Sequence, residues 1–252
     1  MFDFFKKEIP TLMYHRLIDS EEGKGIHTIY FDVDEFEKHL IYLKEKNYKT
    51  ITFKDLKKIG LKNRLNEKNI ILTFDDGYRD NYELLFPLLK KYNMKAVIYM
   101  VSHLEYNKWN TDNDGEKRFD LMSKKEIVEM HDSGLVEFGG HTMHHVDLRK
   151  YDGKGQIEEI NGNKIWLEKL LGERLVSFAY PFGFFNGSAK KVVEELGFDF
   201  GVATDSGPFK IEDDLFEIRR IGIYPDLNFR RFKRRITGRY TLKKIKEKGV
   251  IG

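Results

Sequence analysis

The sequence predicts an α/β fold, built either as a parallel sheet or as an irregular β/α barrel. Two observations carry this expectation. Short apolar runs alternate with amphipathic helical stretches along most of the 252 residues. Three segments rich in Asp, His, Pro and Gly each follow one of those runs, where folds of this class place their chemistry. No repeat period and no low-complexity linker interrupts the alternation, so residues 1–225 are expected to form a single domain. Residues 226–252 are read as a basic, helical tail.

Residues 9–14 read as the first strand, followed by a loop. Asp32 and Glu35 have capping-box spacing, and Phe36, Leu40 and Leu43 recur at helical spacing up to Asn47. Residues 48–53 alternate like a short strand. The run Ile-Ile-Leu-Thr-Phe within 69–74 reads as buried, and Tyr82, Leu85, Leu89 and Tyr92 share one face of the next helix. A strand at 96–101 leads into a polar stretch, 103–121, which holds Trp109 and has the length of a lid or binding loop. Ser123 and Glu126 form the capping box of another helix. Strands at 135–138, 175–180, 200–204 and 216–223, with helices at 157–171 and 186–196, complete the reading.

Composition bounds the chemistry. Forty per cent hydrophobic and 14% aromatic residues suffice for a sizeable core. The chain has no cysteine, so disulfides and thiolate ligands are excluded, and any metal must sit on imidazole, carboxylate or water. No run of eighteen apolar residues suggests a spanning helix, and the first ten residues lack a signal peptide's apolar stretch. The expected location is therefore the cytoplasm. Charge is uneven: residues 229–248 hold ten Lys and Arg against the single Glu247, a net +9. In a chain whose total is +3, the remainder carries −6.

Thr73-Phe-Asp-Asp-Gly77 closes a buried strand with two adjacent carboxylates. The plain reading is a loop whose side chains cap the following helix. The chemical reading is that two like charges so close take different roles, for instance with a metal on one of them. Gly139-Gly-His-Thr-Met-His-His145 packs three of the eight histidines into five residues. A surface cluster is the plain alternative. His141 and His145, four apart, would share a face of a helical turn and reach one ion, while His144 points elsewhere. One carboxylate and two imidazoles leave coordination positions open for water and substrate. Ser177-Phe-Ala-Tyr-Pro-Phe-Gly183 ends another strand in a Pro turn that can aim a backbone N–H at a developing oxyanion.

In this order and spacing the Thr-Phe-Asp-Asp-Gly, His-Thr-x-x-His and Tyr-Pro-Phe-Gly segments resemble the polysaccharide deacetylase family of carbohydrate esterases, over roughly residues 9–223. The resemblance implies a distorted β/α barrel and hydrolysis of an N-acetyl group on an amino sugar. It implies one divalent ion, commonly zinc, on Asp76, His141 and His145, with Asp75 as the catalytic base. Many members end in a Leu-His-Asp motif that supplies the acid, and this sequence lacks it. Leu12-Met-Tyr-His15 instead resembles the circularly permuted branch with the poly-N-acetylglucosamine deacetylases, which assigns the acid to His15. The usual Asp neighbour of that histidine is here Arg16. The arginine that many members place two residues before the proline is here Ala179, and Arg220 is taken to supply its charge. Strand alternation sends Arg219 and Arg220 to opposite faces. The N–H of Phe182 is assigned to the oxyanion.

Two other function classes stand beside this one. A carbohydrate-binding pseudoenzyme is motivated by the altered acid and arginine positions. A metal phosphoesterase would use similar ligands, but a two-metal site would need a second cluster. In the tail, Phe229, Phe232, Ile236 and Tyr240 fall at helical spacing among the cations. They suit either a packed terminal helix or a segment resting on anionic lipid at the inner face of the membrane, with Phe2, Phe4 and Phe5. The second reading would suit a lipid-linked N-acetylated sugar as substrate; no motif points to nucleic acid.

Overall fold

The structure is a computed structural model that describes residues 8–237. Strands β1 (Thr11–Tyr14), β2 (Arg16–Ile18), β3 (Tyr30–Asp32), β4 (Lys49–Thr50) and β5 (Asn69–Phe74) come from the first third of the chain. Strands β6 (Ala96–Met100), β7 (Val136–Gly140), β8 (Ser177–Ala179), β9 (Phe200–Val202) and β10 (Ile221–Gly222) follow. The helices are α1 (Val33–Glu45), α2 (Phe53–Ile59), α3 (Phe86–Tyr92), α4 (Lys108–Asp114), α5 (Lys124–Asp132), α6 (Gly153–Leu171), α7 (Gly187–Glu195) and α8 (Phe229–Arg235).

The main sheet runs β10-β1-β5-β6-β7-β8-β9, every pairing parallel, with β4 beside the start of β5. It curls until one segment serves both edges. Ile218 bridges Val202 next to β9, and Arg220 N donates to Thr204 O at 2.8 Å. Three residues on, Ile221 pairs with Leu12 of β1. This is the distorted β/α barrel that the motifs led us to expect. The strand read over 216–223 shortens to β10 because the segment changes partner half-way along.

Alternation divides the side chains between two cores. Ile70, Leu72 and Phe74 of β5 pack outward under the helices, as do Ile98 of β6 and Phe138 of β7. Ile71, Val97, Tyr99, Ala179, Val202 and Ile218 fill the barrel interior. A period of two therefore makes Thr73 and Asp75 inward positions on β5, Met13 and His15 on β1, and Gly139 and His141 on β7. The interior is tight at Gly139, where an added Cβ would come within 2.5 Å of the Tyr99 ring and 2.8 Å of Ser177 O.

Several local expectations are corrected. The region read as a loop after β1 holds β2 and β3, which pair in parallel as a small separate sheet. Only Lys49–Thr50 of the strand read at 48–53 pairs, because Thr52 and Asp55 form a capping box that opens α2. The stretch 103–121 is not a bare loop but carries α4. The helix after Arg79 opens with a π turn over Asn81–Leu85 before α3.

Helix α8 lies on α1. Phe232 is fully buried and stacks on His39 with ring centroids 3.5 Å apart, while Ile236 is also buried. His39 Nδ1 meets the Tyr14 hydroxyl at 3.0 Å, and burial holds the imidazole's pKa down to about 3. The apolar positions of α8 are thus turned to the core, and Arg230, Arg231 and Arg234 face outward. Phe2, Phe4, Phe5, Tyr240 and the tail after 237 lie outside the described residues. Among the described residues no helix is long and apolar enough to cross a membrane.

Glu137 is buried in the barrel, accepting from Lys54 N at 2.7 Å and Ser177 Oγ at 3.2 Å. Burial pushes its pKa up to about 7, from an ordinary 4.5. The folded state therefore binds a proton that the unfolded state has lost, and this contribution to stability fades as pH rises from about 4.5 to 7. Urea unfolding at pH 5 and pH 8 should show wild type losing about 3 kcal/mol relative to Glu137→Gln across that window. Parallel pH profiles for the two proteins would contradict the account.

Candidate active site

Three strands each place an inward residue one step past their carboxyl ends: His15 after β1, Asp75 after β5 and His141 after β7. The pairing register sets Tyr14 level with Phe74, and through β6 with Phe138. His15 and Asp75 therefore stand at one height, and His141 stands one pleat higher. Pairing alone converges these side chains on the mouth of the barrel.

Asp75 is 3% exposed and is gripped by Arg220, itself 1% exposed. Nη1 donates to Oδ1 at 2.6 Å and Nη2 to Oδ2 at 2.7 Å. Arg220 also donates from Nη1 to Thr73 Oγ1 at 3.0 Å and from Nε to Ala203 O at 2.8 Å, so its fork is held on several sides. Burial alone would raise the Asp75 pKa; the guanidinium beside it outweighs burial and holds the carboxyl below its usual range. Arg219 points to the other face and pairs with Asp205.

Asp76 leaves the strand with φ +78. This left-handed turn releases its side chain from the outward position that alternation would dictate, a local strain of the kind found where geometry serves a site. Its Oδ1 lies 3.2 Å from His141 Nε2 and 3.1 Å from His145 Nε2. The histidines do not share a helical face, as their spacing had suggested. Thr142 and His145 adopt φ +64 and +55, and the resulting turn folds both rings onto Asp76. His144 turns away to Glu159 Oε1 at 2.8 Å.

The three side chains fit a cation. His141 Nδ1 donates to Ala179 O at 2.7 Å, which leaves the Nε2 lone pair facing Asp76 Oδ1. Two acceptors then confront each other with no proton between them, and Asp76 Oδ1 is buried without a hydrogen-bond partner. A shared positive ion resolves that arrangement. The ligand atoms of all three residues lie within 4.8 Å of one another, and this is the sole such cluster among the described residues.

Sequence reading missed the residues that hold the histidine turn. Asn163 of α6, fully buried, accepts from His141 N at 3.1 Å and donates to Met100 O at 2.9 Å and Thr142 O at 2.8 Å. Glu159, one helical turn earlier, accepts from Met143 N and His144 N, both at 3.1 Å. The signal available was two polar residues at i, i+4 on the buried face of an otherwise amphipathic helix.

His15 lines the same cleft, and its Nδ1 is buried without a hydrogen bond. Arg16 does not stand in for the missing acid neighbour. Its Nε donates to Asp80 at 3.0 Å, its Nη1 to Gly23 O at 2.7 Å, and its guanidinium lies 3.4 Å over the Phe119 ring. Asn81 fixes the backbone instead, donating to His15 O at 2.9 Å. Phe182 sits with φ +59 in a one-turn 3-10 helix, where the first N–H groups have no intrahelical acceptor. Its ring meets His145 edge-on at 4.4 Å, and Trp109 of α4 stacks on His145 at 4.4 Å. The cleft between these groups has a volume of about 440 Å³.

The family model described as polysaccharide deacetylase matches residues 62–201, more than half of the chain. The chain belongs to the polysaccharide deacetylase family. It is 28% identical over 215 residues to the poly-beta-1,6-N-acetyl-D-glucosamine N-deacetylase of Staphylococcus aureus, covering 81% of this chain and 71% of that one. Among solved structures, the Streptococcus pyogenes deacetylase PplD in complex with acetate matches with a TM-score of 0.77 and 27% identity, over 91% of this chain and 98% of that one. A polysaccharide deacetylase from Bacillus cereus matches with a TM-score of 0.76 and 29% identity, over 91% and 69%.

Removing the Asn163 amide should loosen the ligand turn without touching a ligand. Asn163→Ala is expected to cost about 2–4 kcal/mol in urea unfolding and to weaken divalent-metal affinity about 10–100-fold. A loss under about 0.5 kcal/mol would show that the turn stands without it.

Proposed function

We propose that this protein is a metal-dependent hydrolase that removes the N-acetyl group from an amino sugar in a glycan or glycolipid. The observation that carries the reading is one cleft in which a charged carboxylate, fixed by Arg220, stands beside the cluster of Asp76, His141 and His145. A divalent cation on those three residues, zinc by the preference of two imidazoles and a carboxylate, supplies Lewis acidity toward the acetyl carbonyl and the attacking water.

This chain's own residues do the rest. Asp75 is ionised at neutral pH and takes the proton of the attacking water. Arg220 keeps both carboxylate oxygens in place, so the base needs no reorganisation as it acts. The N–H of Phe182 donates to the oxyanion of the tetrahedral intermediate. His15, across the cleft, gives a proton to the departing amine. Trp109 and Phe182 close an apolar wall around His145 that suits the acetyl methyl group. The activity named for the Staphylococcus aureus relative supports a polymer of N-acetylglucosamine as the substrate class.

Acetate release from N-acetylated glucosamine oligomers tests the reading. Asp75→Asn should lower kcat by a factor of 10² or more, the scale of a lost general base, and keep its metal by elemental analysis. His141→Ala should lose both metal and activity. Comparable turnover in Asp75→Asn would remove Asp75 from the role of base.

A further inference from the structure

Asn110, on α4, has no part in the chemistry described above, yet it lines the same cleft. It is 6% exposed, and its side-chain amide makes no hydrogen bond among the described residues. The position is well defined. Its neighbour Trp109 stacks on the ligand histidine His145. The backbone around it is pinned by Asn107, which accepts from Phe119 N at 2.8 Å and donates to Lys117 O at 2.9 Å.

The far end of α4 is tied across the cleft mouth. Asp114 Oδ2 lies 3.3 Å from His27 Nε2, and the Glu116 carboxylate accepts from His27 N at 2.8 Å. The segment read as a lid from sequence is thus fastened to residues 19–29, and Asn110 lines the cleft that also holds Asp75 and the three candidate ligands.

A primary amide that lines a cleft and makes no bond to a described residue offers both a donor and an acceptor to whatever enters that cleft. No described residue uses it, so its partner comes from the cleft. We infer that Asn110 is a specificity-determining residue that reads a ring hydroxyl of the amino sugar whose acetyl group is removed, an inference that rests on the deacetylase reading. Hydroxyls donate and accept at one atom, which matches an amide better than an acetyl methyl or an apolar aglycone does. Sites that hydrogen-bond a substrate hydroxyl reject analogues lacking it far more strongly than apolar pockets reject a change of shape.

The test compares wild type, Asn110→Ala and the near-isosteric Asn110→Leu on a β-1,6-linked N-acetylglucosamine oligomer and its singly deoxygenated analogues. Metal content and melting temperature are recorded alongside. Because the amide has no partner among the described residues, Asn110→Leu should keep its metal and melt no lower than wild type, which a structural role for Asn110 would not allow. Both variants should lose about tenfold or more in kcat/KM on the parent oligomer, mainly through KM. Wild type should discriminate against one deoxy analogue, and the variants should not. Variants within twofold of wild type on the parent, or with an unchanged deoxy profile, would overturn the inference while leaving deacetylation intact. A wild-type enzyme that releases no acetate from any N-acetylated sugar would overturn the deacetylase reading and this inference with it.

Discussion

The buried ion pair between Arg220 and Asp75 holds the barrel's closure and its chemistry in one interaction. Arg220 lies on the segment that bridges β9 to β1, and Asp75 stands at the end of the central strand β5. A charge pair taken out of water is costly unless geometry and further hydrogen bonds compensate for the lost hydration. Here the bidentate contact, Thr73 Oγ1 and Ala203 O supply that compensation. Closure of the sheet therefore brings with it a carboxylate that stays ionised inside the protein.

The same strand geometry explains why so much of the site was legible in advance. A period of two fixes which residue after each strand faces the interior, so motifs at strand ends become a converging set once the sheet is parallel. Asp75, Asp76, His141, His145, His15, Phe182 and Arg220 do line or support one cleft, although they are spread over some two hundred positions of sequence. Arg220 could be narrowed to one of two adjacent arginines, because alternation sends its neighbour outward.

What escaped the sequence had a different physical basis. The ligand pair His141 and His145 was expected on a helical turn, and a spacing of four fits that geometry. Left-handed residues at Thr142 and His145 bring the rings together equally well, and no local pattern distinguishes the two. Asn163 and Glu159 act on the histidine turn from α6, a long-range contact that propensity cannot show. Helix α4 was hidden because Asn, Asp and Thr favour loops unless tertiary contacts hold them. Trp109 and Asn107 provide those contacts. Asn81 and Arg16 likewise took roles, fixing the backbone of His15 and tying Gly23 O to Asp80, that only the folded neighbourhood defines.

Everything proposed for this cleft turns on whether Asp76, His141 and His145 hold an ion together. Anomalous diffraction from crystals grown with one equivalent of zinc measures this directly. The account predicts a single peak at about 2.0–2.2 Å from one Asp76 oxygen and from Nε2 of both histidines. A peak held by other residues, or none at stoichiometric zinc, would contradict it.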